Sequence, residues 1–271
     1  ILGIHYAGPG LNEGQTFSIS WGGPMNAIEA TRNLCDDYYC TDGLPIDKSP
    51  LFKGKTGKAA YDKDHPDFAR YENRDPRLKG TLFVPGMKWL NDTYDYDKTT
   101  NPDGKKIPSA SQVAIMKWFV PENMANEYDG SLDYYVIRYA EVLLSLSEAM
   151  IEKGGYSQDQ ITKYINEVRQ RVNMPKVEDV EGKGLSQEQL RQIVRHERRV
   201  ELAFEDLRFA DLYRWSEWKN AVERMNKEFE TYGAGDYERS YRGAQDEVWP
   251  IPQNEIDTDK NLKQHKEWGG E

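Results

Sequence analysis

Cysteine is almost missing from this sequence: 271 residues contain only Cys35 and Cys40, so no disulfide framework can hold the fold and an apolar core has to suffice. One pair cannot close a tetrahedral metal site either, and the spacing within Cys35-Asp36-Asp37-Tyr38-Tyr39-Cys40 matches no zinc or redox pattern. If the stretch is helical, residues five apart do not share a face, so free thiols are expected over a disulfide. Histidine is scarce as well. His5, His65, His196 and His265 are the full set, which leaves few carriers for general-base chemistry at neutral pH. Positive charge is not in excess: 36 Lys and Arg against 46 Asp and Glu give a net charge of -10. Such a field repels phosphate backbones and anionic lipid surfaces, so no nucleic-acid partner is expected. No apolar run approaches the roughly 18 residues of a membrane-spanning helix. The start, Ile1-Leu2-Gly3-Ile4-His5, lacks a basic flank and a long apolar stretch.

What is there suits one large or two modest domains with a wet surface: 38% hydrophobic and 30% charged residues, with a mean hydropathy of -0.85. The 17 Tyr and 7 Trp offer apolar faces beside polar handles, useful in cores and on sugar-binding surfaces. Residues 1 to about 130 are rich in Gly, Pro, Asn and Asp, which predicts a loop-rich subregion with small elements. One helix interrupts it. Ala27, Ile28, Ala30, Thr31 and Leu34 form a helical stripe ending near Cys40, before the turn signal Thr41-Asp42-Gly43-Leu44-Pro45. Short strands are expected between Leu78 and Val84 and between Gln112 and Phe119, closed by Pro85-Gly86 and by Pro121.

From about 131 to 271 apolar residues recur every three to four positions, and helices are expected to dominate. Tyr139, Val142, Leu143, Leu146, Ala149 and Met150 form one stripe, stopped by Gly154-Gly155. Ser157 with Gln160 is a capping box opening a second helix through Ile161, Tyr164, Ile165, Val168 and Val172, ended by Pro175. The same device, Ser186 with Gln189, starts a third, carrying Leu190, Ile193, Val194, Val200 and Phe204 toward Trp215, with a tip that bends or breaks. The first two form a helical hairpin, the unit of a tetratricopeptide-like (TPR-like) solenoid. One pair cannot bury its apolar face alone. Either the loop-rich part covers it or its neighbours lie upstream of this chain.

Arg138-Tyr139-Ala140-Glu141-Val142-Leu143-Leu144 with Ser147-Glu148-Ala149 resembles the signature helix of the SusD/RagB family. Ile193 to Trp215 resembles that family's long helix, and Trp249-Pro250-Ile251-Pro252-Gln253-Asn254-Glu255-Ile256 its closing segment. Asp37-Tyr38-Tyr39 with Asp42-Gly43-Leu44-Pro45-Ile46, and Asn73-Arg74-Asp75-Pro76-Arg77-Leu78, fit as well. The end departs from the family pattern at Gln264-His265-Lys266-Glu267-Trp268-Gly269. The resemblance implies a mainly α, SusD-like fold in which this chain is the C-terminal part, with the N-terminal TPR half absent from it. It also implies an outer-membrane, cell-surface lipoprotein that binds oligosaccharide and delivers it to a SusC-like TonB-dependent transporter. The membrane is then reached only through a lipid anchor on the absent N-terminal part. The RagB branch implies peptide as the alternative ligand.

His196-Glu197 has Val200 where a helix-borne zinc site needs its second histidine, so a charged helix face is the reading and no metal is expected there. Along that helix Arg198 and Glu201, Glu205 and Arg208, and Asp211 and Arg214 stand three apart, and are expected to pair in a structural network rather than form an acid/base site. Glu197 and Glu201 lie near the apolar stripe and need donors, for which Arg74 and Arg77 are the candidates. Asp92, Asp95, Asp97, Asp103 and Gly104 lack EF-hand spacing, so turn chemistry explains them, although clustered carboxylates leave calcium open. A glycosidase needs two carboxylates about 5 to 10 Å apart, and this acidic chain has too many candidates for spacing to choose. No nucleophile elbow or Gly-rich phosphate loop is present; no catalytic residue is assigned, and glycoside hydrolysis is the less favoured alternative. The ligand candidates are loop-borne: Trp21, Trp89, Tyr94 and Tyr96 as platforms for sugar C–H faces, with Asn91 as an edge partner.

Overall fold

A computed structural model describes residues 2–4, 30–61, 67–89, 92–93, 113–118, 133–232 and 239–270. In chain order the elements are β1 (Leu2–Ile4), α1 (Arg32–Asp37), α2 (Arg77–Thr81), β2 (Leu82–Phe83), β3 (Lys88–Trp89), β4 (Asp92–Thr93), β5 (Ala114–Ile115) and β6 (Tyr134–Ile137), followed by α3 (Tyr139–Lys153), α4 (Gln158–Gln170), α5 (Val177–Glu181), α6 (Gln187–Glu201), α7 (Arg208–Arg214), α8 (Trp218–Tyr232) and α9 (Gln253–Thr258). The fold is mainly helical, with three antiparallel two-stranded ribbons among the described residues, β1 with β6, β2 with β5 and β3 with β4.

Local chemistry accounts for the helix ends. Ser157 and Ser186 each close a reciprocal capping box, with Gln160 and Gln189, so two orphan backbone donors are satisfied at each start. Gly154 ends α3 at a φ of 71°, open to glycine without strain. Two expectations shift. The first helix starts only at Arg32, capped by the Thr31 hydroxyl at 3.2 Å, and ends at Asp37 rather than near Cys40, because Tyr38 turns extended. Ala27 and Ile28 lie outside the described residues. The segment from Leu78 is helical before it is strand: Pro76 presets the turn that opens α2, and only Leu82–Phe83 pairs with Ala114–Ile115. Cys35 and Cys40 are both buried, and no disulfide joins them.

Among the described residues the core has two centres. One gathers Leu34, Cys35 and Tyr38 around α1 with Leu78, Leu82, Val113 and Ile115, and reaches Val200 at the end of α6. The other is the helical layer, in which Leu143, Leu144, Ile151, Ile161, Ile165, Val168, Leu190 and Val194 pack α3 against α4 and α6. Gly43, at a φ of 82°, lets the Asp42 turn sit on α5, since a Cβ there would stand 2.6 Å from Val180 Cγ2. The stripe predicted on α3 splits. Leu143 and Met150 point inward, whereas Tyr139, Val142 and Leu146 are 62%, 50% and 41% exposed, beside exposed Tyr135, Val136 and Ile137 of β6. The described residues of the loop-rich part leave this face of the hairpin exposed.

Candidate functional site

Between the two core centres lies a seam of buried charge, built on the inner face of α6. Glu197 is 1% exposed. Its carboxylate accepts from Arg77 Nη1 of α2 at 2.6 Å and from Arg169 Nε of α4 at 2.8 Å. One turn on, Glu201 accepts from Arg77 at 2.9 Å, from Arg138 Nη1 at 2.7 Å and from Arg171 Nη2 at 2.9 Å. Arg77 in turn holds Asp75 in a fork, with Nη2 to Oδ2 at 2.6 Å and Nε to Oδ1 at 3.0 Å. Burial by itself would raise the Glu197 carboxyl, but Arg77 and Arg169 outweigh it and hold the group at about 2. The same contest, with Arg77 and Arg138 against burial, lowers Glu201.

A second cluster ties α6 to α7 and α3. Arg198 grips Asp211 through Nε and Nη2, both at 2.9 Å. Arg214 reaches Asp211 from Nη2 at 2.8 Å and Glu148 of α3 at 2.6 Å, and Trp215 Nε1 donates to Glu148 at 2.6 Å. Between the clusters the long helix breaks. Phe204 and Asp206 take φ values of 60° and 59°, and the freed carbonyls find cationic or indole donors: Glu201 O from Arg138 Nη2 at 2.8 Å, Ala203 O from Lys117 Nζ at 3.0 Å, and Phe204 O from Trp118 Nε1 at 2.6 Å. Glu205 pairs with Lys117 and Arg138.

Of the pairs expected along the helix, Asp211 and Arg214 meet. The other two do not form. Arg198 is engaged by Asp211 while Glu201 faces Arg77 and Arg138, and the break at Leu202 removes the helical spacing between Glu205 and Arg208. Arg208 makes no ion pair with any described residue. Arg74 departs from its expected role too: instead of serving Glu197 or Glu201 it ties down the end of α1, donating to Tyr38 O at 3.0 Å, Cys35 O at 2.7 Å and Arg70 O at 2.8 Å. The sequence reading missed Arg138, Arg169, Arg171, Lys117 and Glu148. No spacing signal could have found them, since they come from other elements.

Trp21, Asn91, Tyr94 and Tyr96 lie outside the described residues, as do Asp95, Asp97, Asp103 and Gly104; Trp89 and Asp92 enter only as backbone, paired with each other across β3 and β4. Among the described residues no cluster of three metal-ligating side chains occurs. An apolar cleft of about 470 Å³ opens between α1, α7 and α8, with Leu34, Leu202 and Leu212 in its lining and Phe209 edge-on to Trp218, their ring centroids 5.2 Å apart. Such rings offer a face for C–H groups. Glu197 and Glu201 are bound to guanidinium and held ionised, which suits them to orient elements and not to donate protons.

A pH dependence follows. Because Glu197 sits at about 2 in the folded state against an ordinary 4.5, its contribution is present above the ordinary value and lost as pH falls through the folded one. Glu201 and Asp37, both lowered, act in the same direction; Glu228, raised by burial, opposes them. The urea midpoint is expected to be lower at about pH 3 than at about pH 6, and an unchanged midpoint would show that these pairs do not outweigh Glu228.

Comparison with known proteins comes down on one side. The sequence model of the SusD family matches residues 6–268. SusD-like protein P2 of Formosa agariphila is 30% identical over 142 residues, which are 51% of this chain and 26% of that protein. A SusD-like carbohydrate binding protein from Bacteroides fragilis superposes with a TM-score of 0.69 at 27% identity, over 97% of this chain and 53% of its own. A second SusD-like protein from Bacteroides fragilis, at 23% identity, shares the fold with a TM-score of 0.67 over 98% of this chain and 53% of its own. The chain thus spans about half the length of these solved relatives and about a quarter of the curated one.

Proposed function

Since this chain belongs to the SusD family, we propose that it is a binding component without catalysis, which captures an oligosaccharide at the outer-membrane surface and passes it to a SusC-like TonB-dependent transporter. The observation that carries this reading is the family match over nearly the whole chain, supported by the likeness to a solved carbohydrate binding protein at 27% identity. No helix among the described residues is long and apolar enough to cross a membrane. In this reading the buried seam of Arg77, Glu197 and Glu201 is a frame. It locks the helical layer to the loop-bearing part, and Trp21, Trp89, Tyr94 and Tyr96, with Asn91, meet the sugar: rings against its C–H face, the amide at its hydroxyl edge.

The test is a glycan array followed by calorimetry on the best ligand, with product analysis of the same mixture. Binding without product is expected, and replacing Trp21 and Trp89 together by alanine should weaken it by about tenfold or more, as the loss of a stacked ring implies. Turnover of the bound glycan would sink the binding-only reading. A peptide mixture that binds where glycans do not would move the ligand to the peptide class.

A further inference from the structure

In a chain of net charge -10, three helices turn guanidiniums into one cleft of about 250 Å³: Arg195 and Arg199 from α6, Arg208 from α7 and Arg224 from α8, beside His196 of α6 and Asp37 from the end of α1. Four guanidiniums there face two carboxylates, Asp37 and Glu217. Asp37 is taken by Arg199 and Arg224, and Glu217 reaches Arg195 only at 3.4 Å. Arg208 is left over. Its guanidinium lies 5.8 Å from the centre of the Trp215 ring, a platform it shares with Arg195 at 4.7 Å. Burial, together with the like charges of Arg199 and Arg224, pushes Arg208 down to about 10, so the fold pays for holding this cation where it is.

Among the described residues, three buried nitrogens of this cleft have no hydrogen-bond partner: Arg195 Nε, Arg208 Nε and His196 Nδ1. Both Nε atoms are donors. His196 Nε2 stands 2.8 Å from Asp37 O, and since a carbonyl only accepts, the imidazole proton is on Nε2. Burial holds the ring below its usual range, so the neutral form leaves Nδ1 as an acceptor. Two unmatched donors beside surplus positive charge call for an oxyanion, and the unmatched acceptor calls for a hydroxyl.

We propose that this cleft is a binding site for an oxyanion group, whether a free sulfate or the acid group of a hydroxyl-bearing sugar, held by Arg195 and Arg208. The site does not depend on the function proposed above: it would take up the ion whether or not the aromatic loops bind a glycan.

The experiment titrates the full 271-residue chain with sodium sulfate and with glucuronate, following thermal unfolding and calorimetric heat. Chloride at matched ionic strength and glucose serve as controls. The wild type is expected to show a saturable rise in midpoint with at least one oxyanion and none with glucose. A larger rise with glucuronate assigns the site to sugar acids, and a larger rise with sulfate to inorganic or ester oxyanions. Arg208→Gln should weaken that binding about tenfold, the usual worth of a charge-assisted hydrogen bond. It should also leave the midpoint in chloride unchanged or higher, because Arg208 gives up no ion pair. Sulfate stabilises many proteins by exclusion, so an equal rise in wild type and Arg208→Gln would overturn the site. A fall of the variant's midpoint in chloride would do the same, by revealing a protein partner. Arg195→Gln provides an independent check, with the same loss of affinity expected.

Discussion

Replacing Arg77 by alanine is expected to lower the unfolding free energy by about 3–5 kcal/mol, the usual cost of breaking a buried ion pair from one side. The size follows from what would be left behind. Arg77 meets Asp75, Glu197 and Glu201 at once, and its removal strands carboxylates that are 1% and 3% exposed at Glu197 and Glu201. Arg169 and Arg138 would still neutralise part of that charge, so the double variant Arg77→Met with Glu197→Met should lose less than the two single losses added together. Equilibrium denaturation followed by circular dichroism gives all three values. A loss under about 1 kcal/mol for Arg77→Ala, the range of exposed surface pairs, would mean that the seam is wetter than its geometry implies.

Leu144→Ala should cost about 2–5 kcal/mol, through lost transfer energy and the cavity left among α3, α4 and α6. Leu144 is fully buried in that helical layer. Val142, two residues earlier on the same helix, is 50% exposed, and Val142→Ala should stay within about 0.5 kcal/mol, as surface substitutions usually do. Equal losses for the two variants would contradict the inward face assigned to α3.

Helix starts and stops were legible from the chain alone because they depend on neighbours. Ser157 with Gln160, Ser186 with Gln189, and Gly154 act across a few residues, and the structure has each of them in place. Periodicity was a weaker guide to burial. It located α3 but grouped Tyr139, Val142 and Leu146 with the buried Leu143 and Met150, since an apolar stripe states that a face prefers to be covered and not that it is. Charge spacing misled most. Glu205 and Arg208 stand at helical distance in sequence, yet the chain leaves the helix between them, where Lys117, Trp118 and Arg138 capture its carbonyls.

By itself the sequence determined where α3 ends, where α4 and α6 begin, and the resemblance that led to the SusD family. Those properties are written in short-range hydrogen-bonding options and in local blocks of residues. Only the tertiary structure decided which charge answers which. Glu197 is neutralised by Arg77, 120 residues away, and Arg208 is answered by no described residue in a cleft made by three helices. Electrostatic pairing depends on distance in space, and the folded chain sets that distance by packing its apolar faces, whatever the separation along the backbone.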